Sequence, residues 1–379
     1  MFSFIEFFAG GGMARAGLGA EWKCLFANDF DPHKAESYRA NWDASDLFVG
    51  DIAIVKPSQI SAHADLAWAS SPCQDLSLAG NGAGLAGDRS GTFWSFWKLM
   101  RALKRGGRAP RAIVLENVLG TLTSHGGSDF AEIGSAFSAL GYQFGAIVVD
   151  ARLFVPQSRP RVFVIGIREG EPIPPGLLAE APDDLWHPRA LRIAHSNLSA
   201  AAKSRWLWWS PRSPAQRNVN FIDLIEPSPD GVCWHTREQT QYLISLMSSV
   251  NLAKLDKAIA ETKASNGSAV GGIYRRTRDG QQRAEVRFDH VSGCLRTPTG
   301  GSSRQTVMLV ERGKVRSRLL SPREAARLMG LPDSYIIPNN YNQAYHLLGD
   351  GLAVPVVRHI AREILEPILA DRMMLAAAE

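Results

Sequence analysis

The chain has 379 residues, 45% of them hydrophobic, and a formal net charge of +5, which allow one large domain or two domains with separate cores. No apolar run is long enough to cross a membrane, and the opening residues lack the basic segment of a secretory signal. The four cysteines have neither zinc-site nor disulfide spacing, so we expect a cytoplasmic protein that binds no metal.

The first 168 residues alternate between strand-like and helix-like patterns. This alternation predicts an α/β fold with a doubly wound, mostly parallel sheet. Only Ala151–Pro160 joins the last two strands, so we expect them to form a terminal antiparallel pair. The predicted strands are Phe4–Phe8, Cys24–Asn28, Ala67–Ser70, Ala112–Leu115, Phe144–Asp150 and Arg161–Arg168. The predicted helices are Met13–Leu18, Pro32–Asn41, Phe93–Lys104 and Phe130–Leu140.

The first predicted strand ends in a glycine-rich turn, Phe7-Phe8-Ala9-Gly10-Gly11-Gly12-Met13. Glycines let a ligand approach the backbone, and the amides that open the next helix favour a carboxylate or a phosphate. The nicotinamide fingerprint fails, because Arg15 stands where its third glycine is required. A Rossmann oxidoreductase is therefore disfavoured.

Acidic residues follow at the ends of the next two strands. Asp29 ends the second strand, where it could accept hydrogen bonds from ribose hydroxyls, and Gly50-Asp51-Ile52 ends a short third strand. The carboxylate of Asp51 could accept a hydrogen bond from an adenine amino group. Because the ends of parallel strands share one edge of a sheet, Asp29 and Asp51 outline an adenosine site, with Phe8 against the adenine face.

Three short motifs begin or end later strand-like runs: Pro72-Cys73-Gln74, Glu116-Asn117-Val118 and Gln157-Ser158-Arg159-Pro160-Arg161. A cysteine beside a proline is weak evidence alone, since most cysteines of this kind are small buried residues. The two later motifs make Cys73 a candidate nucleophile in a turn at a strand end. Arg159 and Arg161, two residues apart on one predicted strand, are expected to share a face.

Residues 186–294 follow a proline-rich linker at Glu171–Gly176 and show poor periodicity, which predicts a smaller irregular domain. Residues 187–290 carry 15 Lys and Arg against 9 Asp and Glu, whereas the remainder of the chain is near −1. This concentration of charge favours a polyanionic partner. The densest cluster, Arg275, Arg276 and Arg278, is expected in a loop.

Half of the ten tryptophans fall in the same stretch. We expect them to form the core of the smaller domain, and stacking on nucleic-acid bases is the alternative. The five tryptophans are Trp186, Trp206, Trp208, Trp209 and Trp234.

Helical order returns at Pro322–Leu331 and in a final helix from about Val354 to Met373.

The motifs, in this order, resemble those of the cytosine-C5 DNA methyltransferase family. The resemblance covers roughly residues 1–168 and 295–365, and the stretch between them stands where that family has its variable target-recognition domain. We therefore divide the chain into a catalytic domain at 1–185, a target-recognition domain at 186–294 and a return to the catalytic domain at 295–379. The matching motifs are Phe8–Gly12, the cysteine, acid and arginine motifs above, Arg318–Gly330 and Gly349-Asp350-Gly351.

The resemblance implies the class I S-adenosylmethionine-dependent methyltransferase fold. It also implies methyl transfer to C5 of a cytosine that is flipped out of a specific double-stranded DNA sequence. Cys73 would bond covalently to C6 of the base, and Glu116 would hydrogen-bond its N3 edge and supply a proton. Of Arg159 and Arg161, one would contact the O2 edge or Glu116, and the other the DNA phosphate or the region of the thiolate.

The implied cofactor is S-adenosylmethionine. Two residues depart from the usual pattern, Asp29 in place of glutamate and Asp350 in place of asparagine. Because the Asp350 carboxylate would repel that of the cofactor, we expect the backbone amides of Gly351 and Leu352 to make the contact. The expected cofactor-binding residues are Phe8, Ala9, Gly10, Gly12, Met13, Asp29, Phe30, Asp51, Ile52, Pro72, Gly351 and Leu352.

The expected partner is double-stranded DNA, with no membrane association, and the enzyme is expected to be a monomer. A cognate restriction endonuclease in the same system is a candidate second partner. Two alternatives stay open. An RNA cytosine methyltransferase on the same fold would have little need of the basic residues 186–294, and a non-catalytic DNA-binding protein would have no need of intact chemical groups.

Overall fold

The computed structural model describes residues 1–60, 62–71, 92–278, 280–297 and 304–370. The strands are β1 (Phe2–Phe7), β2 (Trp22–Asp29), β3 (Leu47–Val49), β4 (Leu66–Ala69), β5 (Ala112–Val118), β6 (Tyr142–Asp150), β7 (Pro160–Arg168), β8 (Leu178–Ala179), β9 (Trp208–Trp209), β10 (Ser268–Arg278), β11 (Gln281–Arg287), β12 (Thr306–Glu311) and β13 (Lys314–Leu319). The helices are α1 (Met13–Leu18), α2 (Pro32–Asn41), α3 (Thr92–Arg105), α4 (Ser128–Leu140), α5 (Arg189–Ser196), α6 (Ala200–Lys203), α7 (Arg237–Ser245), α8 (Ser249–Ala264), α9 (Pro322–Leu328), α10 (Tyr341–Asp350) and α11 (Val354–Ile360).

The chain forms two compact units. The boundaries drawn from the sequence, after residues 185 and 294, do not coincide with theirs. A short excursion between β6 and β7 belongs to the second unit, and the chain returns to the first unit at α11. Unit 1 comprises Met1–Asp150, Pro160–Pro214 and Val354–Glu379, and unit 2 comprises Ala151–Arg159 and Ala215–Ala353.

Unit 1 is built on a sheet with the strand order β3-β2-β1-β4-β5-β7-β6. The strands from β3 to β5 are parallel neighbours. Strand β7 runs antiparallel between β5 and β6, which confirms the predicted α/β sheet and its terminal antiparallel pair. Strands β1, β4 and β5 are near-continuous apolar runs, as parallel strands covered on both faces require.

Helix α3 shows how the layers around this sheet are specified. Its buried aromatic residues Phe93, Phe96 and Trp97, followed by Met100, recur at the spacing of one helix face. Phe96 lies 5.2 Å from Phe7 of β1 between ring centroids, and Trp97 lies 4.8 Å from Phe137 of α4. This apolar stripe therefore fixes α3 against the sheet.

Unit 2 is more regular than the poor periodicity of residues 186–294 suggests. Unit 2 contains an antiparallel sheet of order β11-β10-β12-β13, and α8 packs against it through Leu255 and Ala258. Arg275 and Arg276 lie in strand β10 and not in a loop. Gly271 and Gly272 are part of the same strand. A Cβ on Gly271 would lie 2.7 Å from the ring of Phe288, so this glycine reflects the close packing of an aromatic ring.

The tryptophan prediction was also wrong for four of the five residues. Trp186, Trp206, Trp208 and Trp209 belong to unit 1, and only Trp234 belongs to unit 2. The indole nitrogen of Trp209 donates to the carbonyl of Ile165 in β7 at 3.2 Å, so this cluster covers the sheet of unit 1. Composition alone does not show which core an aromatic residue joins.

The C-terminal helices follow the sequence expectation with shorter bounds. Helix α9 ends at Leu328 and not at Leu331. Helix α11 continues through a π-helical turn at Ala361–Leu365, and the predicted last residues, 371–373, lie outside the described residues. Across the described ranges, none of the helices has the length and apolar character needed to span a membrane.

Candidate active site

The carboxyl ends of the parallel strands β1 to β5 meet along one edge of the unit 1 sheet. Because β7 runs in the opposite direction, it begins at this edge with Pro160 and Arg161. The edge therefore brings together the glycine-rich turn, Asp29, Ser71 and Glu116. It is the site that the sequence motifs predict.

The turn between β1 and α1 is shaped by its glycines and by a tryptophan that packs against it. Gly10 and Gly12 have φ angles of 56° and 77°, a region that glycine adopts freely. A Cβ on Gly12 would lie 2.3 Å from Nε1 of Trp42, which donates a 2.9 Å hydrogen bond to the Gly11 carbonyl. A Cβ on Gly10 would have no described atom within 4 Å. The turn is therefore braced at Gly12 and open at Gly10.

Asp29 also braces the glycine-rich turn. Its carboxylate accepts hydrogen bonds from the amides of Gly10 at 2.7 Å and Asp31 at 2.9 Å. Burial raises the pKa of Asp29, against the opposing effects of Lys34 and these two amides. Carboxylate oxygens accept more than one bond each, so the predicted ribose contact is compatible with this bracing role and stays a prediction.

Asp51 and Phe30 are the exposed members of the predicted cofactor set. Asp51 begins a short helical turn at Ile52–Ile54, with its carboxylate accepting from the Ala53 amide at 2.8 Å. The side chain of Phe30 is 76% exposed, whereas Ile52 and Met13 are buried. Phe30 therefore offers an exposed aromatic face at this edge, whereas the side chains of Ile52 and Met13 belong to the buried core.

Glu6 is a buried acid close to this edge that the sequence analysis does not single out. It lies near the end of β1, is 2% exposed, and its Oε2 has no hydrogen-bond partner among the described residues. Burial, together with Asp29 and Asp46, raises its pKa from 4.5 to about 8, although Arg15 opposes the shift. An acid in an otherwise apolar strand, Phe4-Ile5-Glu6-Phe7, was the signal that could have revealed it.

Glu6 should make the stability of the protein depend on pH. The pKa of Glu6 is higher in the folded state than in the unfolded state. Between about pH 4.5 and pH 8, the folded state therefore retains a proton that the unfolded state has already lost. Stability should therefore fall as pH rises through this window, by about 1.4 kcal/mol per pH unit from this one group. Glu6→Gln should remove that slope in urea unfolding measured at pH 5.5, 6.5 and 7.5. The exposed Glu21→Gln is the control, and parallel stability curves for Glu6→Gln and the unmodified protein would contradict the assignment.

Glu116 and Arg161 form the central ion pair of the edge. Val118 of β5 lies opposite Arg161 of β7 in the sheet register, and Glu116, two residues earlier, is on the same face. The Nε of Arg161 lies 3.1 Å from Oε1 of Glu116. Glu116 is 7% exposed, so the guanidinium holds a buried acid in a fixed orientation.

Asn117 links this pair to the strand that leads to the cysteine motif. Its Nδ2 donates to the hydroxyl of Ser71 at 3.2 Å, and its Oδ1 accepts from the Val118 amide at 2.8 Å. Ser71 directly precedes Pro72 and Cys73, which lie outside the described residues. Asn117 is therefore placed to hold the segment that follows β4.

Arg159 does not share the strand of Arg161. Strand β7 begins at Pro160, and Arg159 belongs to unit 2. Its guanidinium donates to the carbonyls of Leu295, Gly349 and Gly351. The expectation that both arginines share a strand face was therefore wrong.

The two residues whose amides are expected to contact the cofactor, Gly351 and Leu352, lie in the same unit. Leu352 is buried, and the Gly351 amide donates a long, 3.4 Å hydrogen bond to the Leu348 carbonyl.

Comparison with known proteins identifies the family. A sequence model of the family described as C-5 cytosine-specific DNA methylase matches residues 2–366. The type II methyltransferase M.HpaII of Haemophilus parainfluenzae is 28% identical over 378 residues, covering 97% of this chain and 90% of that protein. M.HhaI of Haemophilus parahaemolyticus, also a type II methyltransferase, is 26% identical over 365 residues, covering 95% and 93%.

Solved structures share the fold. The Dnmt2 methyltransferase of S. pombe superimposes with a TM-score of 0.60 at 18% identity, covering 97% of this chain and 99% of that one. The methyltransferase EhMeth of Entamoeba histolytica superimposes with a TM-score of 0.62 at 15% identity, again covering 97% and 99%. These similarities bear on the fold, whereas the family match spans both units.

Proposed function

Because the chain belongs to the C-5 cytosine-specific DNA methylase family, we propose that it transfers a methyl group from S-adenosylmethionine to C5 of a cytosine within a specific double-stranded DNA sequence. The base is flipped out of the helix, since attack on its ring plane is blocked inside a stacked duplex. Cys73 acts as the nucleophile and forms a transient covalent bond to C6.

The observation that carries the proposal is the buried Glu116–Arg161 pair beside the end of β4. The chain leads from Ser71, which Asn117 holds, to Cys73 two residues later. A nucleophile that follows β4 and an acid on the adjacent strand β5 would be suited to attack on a ring with proton transfer at its edge. An exposed cysteine without a fixed acid nearby would not support this chemistry.

Each residue of the edge has a defined task. The thiolate of Cys73 adds to C6, while Glu116 hydrogen-bonds N3 and supplies a proton as negative charge develops on the ring. Arg161 orients Glu116 and would contact the O2 edge of the base. Once C5 carries its new substituent, loss of the C5 proton and elimination of Cys73 restore the aromatic ring.

The glycine-rich turn fits the expected cofactor. The absent Cβ at Gly10 leaves open space beside the backbone, and the exposed ring of Phe30 offers a stacking surface for an adenine. Asp29 and Asp51 lie at adjacent strand ends and can accept from ribose hydroxyls and an adenine amino group. S-adenosylmethionine supplies an electrophilic methyl group when bound, and Phe8, Ala9, Gly12 and Pro72 complete the set that would hold it.

Transfer of a tritiated methyl group from S-adenosylmethionine to duplex DNA, compared with transfer RNA, tests the proposed function. We expect label in cytosine-containing duplex DNA and none in RNA. Label in RNA alone would support an RNA cytosine methyltransferase instead. Absence of label from both, with DNA still bound, would favour a non-catalytic DNA-binding protein.

Asp29→Ala and Asp51→Ala should each weaken binding of S-adenosylmethionine, because each removes an acceptor for a cofactor hydrogen bond. A loss of about 1–3 kcal/mol per site is expected, measured by isothermal titration calorimetry. Asp43→Ala is a matched control, since Asp43 makes a similar local bond to the Ser45 amide before β3, at the opposite edge. Unchanged affinity in both variants would leave the adenosine site without support.

We propose that the sheet of unit 2, with the segments around it, reads the DNA sequence. The pairing of β10 with β12 ends at Ile273, and beyond it β10 and β11 continue as a two-stranded ribbon, a shape that enters the major groove of DNA. Arg276 lies directly opposite Arg283 in the register, so both point to one face, whereas Arg275 points to the face of Ala284. Like charges placed opposite each other are unfavourable. Glu285, 3.5 Å from Arg276, compensates part of this repulsion, and DNA phosphates would relieve the rest.

Neutralising Arg276 or Arg283 should therefore lower the slope of log affinity against log salt by about 0.9 for each phosphate that the variant no longer neutralises. If one of them reads a guanine edge, its replacement should relax specificity at one base pair by about 1–3 kcal/mol. Arg275→Gln, on the opposite face of the same strand, is the matched control. A change in slope for Arg275→Gln alone would assign recognition to the other face.

The biological setting follows from the curated relatives. M.HpaII and M.HhaI carry the name of type II methyltransferases, which favours a role in a restriction-modification system, with or without a cognate endonuclease encoded beside it. We propose that the protein works in the cytoplasm as a monomer on double-stranded DNA. Size-exclusion chromatography with light scattering, with and without duplex DNA, measures the stoichiometry directly.

A further inference from the structure

We propose that Arg159 is a positioning residue and not a catalytic residue, and that it fixes the orientation of the backbone at Gly349–Leu352. The proposal deepens the proposed function, on which it rests, because the resemblance assigns the backbone amides of Gly351 and Leu352 to S-adenosylmethionine.

The side chain of Arg159 is 2% exposed, and its two terminal nitrogens donate to three backbone carbonyls. One terminal nitrogen donates to the carbonyl of Leu295 at 2.9 Å and contacts the sulfur of Cys294 at 3.3 Å. The other donates to the carbonyls of Gly349 at 2.9 Å and Gly351 at 2.7 Å. A guanidinium engaged in this way stabilises backbone geometry.

The position of these carbonyls explains why a cation is needed. Gly349 lies in the last turn of α10, and Gly351 is the C-cap residue that directly follows the helix. Carbonyls in the last turn of a helix lack partners within the helix and carry its negative dipole end. Arg159 satisfies them with both hydrogen bonds and positive charge. Its two donors on one nitrogen join residues on both sides of Asp350.

The same contact sets the direction of an amide. The carbonyl of Gly351 and the amide of Leu352 belong to one planar peptide group and point to opposite sides of it. With the carbonyl held by Arg159, the Leu352 amide must point away from the guanidinium. The amide assigned to the cofactor by the resemblance is thus oriented by a side chain nearly two hundred positions earlier, since Arg159 and Gly351 are 192 apart.

Neighbouring contacts make the turn a tight fit. A Cβ on Gly349 would lie 2.9 Å from the amide nitrogen of Thr297, whose hydroxyl hydrogen-bonds the carboxylate of Asp350. That bond holds the Asp350 side chain beside Thr297. Gln157, which is fully buried, accepts from the Leu295 amide at 3.0 Å and donates to the Leu328 carbonyl at 2.8 Å. Gln157 and Arg159 therefore hold Leu295 from two directions.

Arg159→Met keeps much of the side-chain volume and removes every donor. We expect it to raise the dissociation constant of S-adenosylmethionine roughly tenfold to hundredfold. The single-turnover methylation rate at saturating cofactor should stay within about threefold of normal. Amide hydrogen exchange should become faster at residues 349–352. Arg159→Lys, which keeps the charge and some donors, should recover part of the affinity.

Arg323→Met is the matched control, since Arg323 donates to the carbonyls of Tyr335 and Pro332 in the same unit. It should leave both cofactor affinity and exchange at residues 349–352 unchanged. If Arg159→Met does not fold, cofactor affinity, methylation rate and hydrogen exchange are measured for Arg159→Lys instead.

Normal cofactor affinity with a methylation rate reduced more than about hundredfold would overturn the proposal and make Arg159 catalytic. Unchanged exchange at residues 349–352 would also overturn it. Failure of the unmodified protein to bind S-adenosylmethionine would instead contradict the proposed function, and the exchange measurement would still decide whether Arg159 fixes the turn.

Discussion

Replacing Cys73 with alanine is expected to abolish methylation while leaving folding and S-adenosylmethionine binding intact. The thiolate adds to C6 and makes C5 nucleophilic, and alanine has no group that can do so. Duplex DNA carrying 5-fluorocytosine should trap a covalent adduct with the unmodified protein, because the fluorine cannot leave as the C5 proton does. The Cys73→Ala variant should form none.

The other cysteines provide the controls for this trap. Cys24 is buried, and burial raises the pKa of its thiol, so it is a poor source of thiolate. Cys294 contacts Arg159 within unit 2, and Cys233 is exposed. Cys233→Ala should trap DNA normally. An adduct mapped by peptide mass spectrometry to Cys24, Cys233 or Cys294 would contradict the assignment of the nucleophile.

Glu116→Gln is expected to slow the chemical step by about 100- to 10,000-fold, the usual range for loss of a general acid. Glutamine keeps the shape of the side chain and one hydrogen-bond acceptor, but its amide does not supply a proton as a carboxylic acid does. Cofactor affinity should change little. Single-turnover methylation with saturating DNA and S-adenosylmethionine measures this step directly.

The exposed Glu132→Gln, on α4 of the same unit, is the control and should react at the normal rate. Because Arg161 loses its charged partner in Glu116→Gln, thermal unfolding of the variant must also be compared with the unmodified protein. A rate within about threefold of normal would mean that Glu116 is structural.

Much of unit 1 could be predicted from the sequence because local pattern and global fold agree there. Apolar runs at β1, β4 and β5 are long enough to show buried parallel strands, and the rule that parallel strands end at one edge brings Asp29 and Glu116 together. Glu6 was missed since a single acid within an apolar run has no periodic signature. Its importance arises from burial, which only the structure reveals.

Unit 2 could not be predicted in the same way because its order depends on tertiary packing. Helix α8 carries charged residues on much of its surface, and its buried side is small, with Leu255 and Ala258 against the sheet. The glycines before and after the arginines of β10 are typical of a loop, and this pattern led to the wrong prediction. In the structure, Gly271 makes room for Phe288.

The two arginines of the Gln157–Arg161 motif show the limit of spacing arguments. Spacing by two predicts a shared strand face, but the strand begins between them at Pro160. Register then places Arg161 beside Glu116. Arg159 lies with the carbonyls of unit 2, which a motif of five residues cannot reveal.

The most direct test of the account is the identity of the methylated nucleoside. The purified protein is incubated with duplex DNA and S-adenosylmethionine, and the DNA is digested and analysed by liquid chromatography with mass spectrometry. We expect 5-methyldeoxycytidine, with none formed by Cys73→Ala or without S-adenosylmethionine. A methyl group on an exocyclic nitrogen, or no methylated nucleoside from DNA that contains every short recognition sequence, would contradict the account.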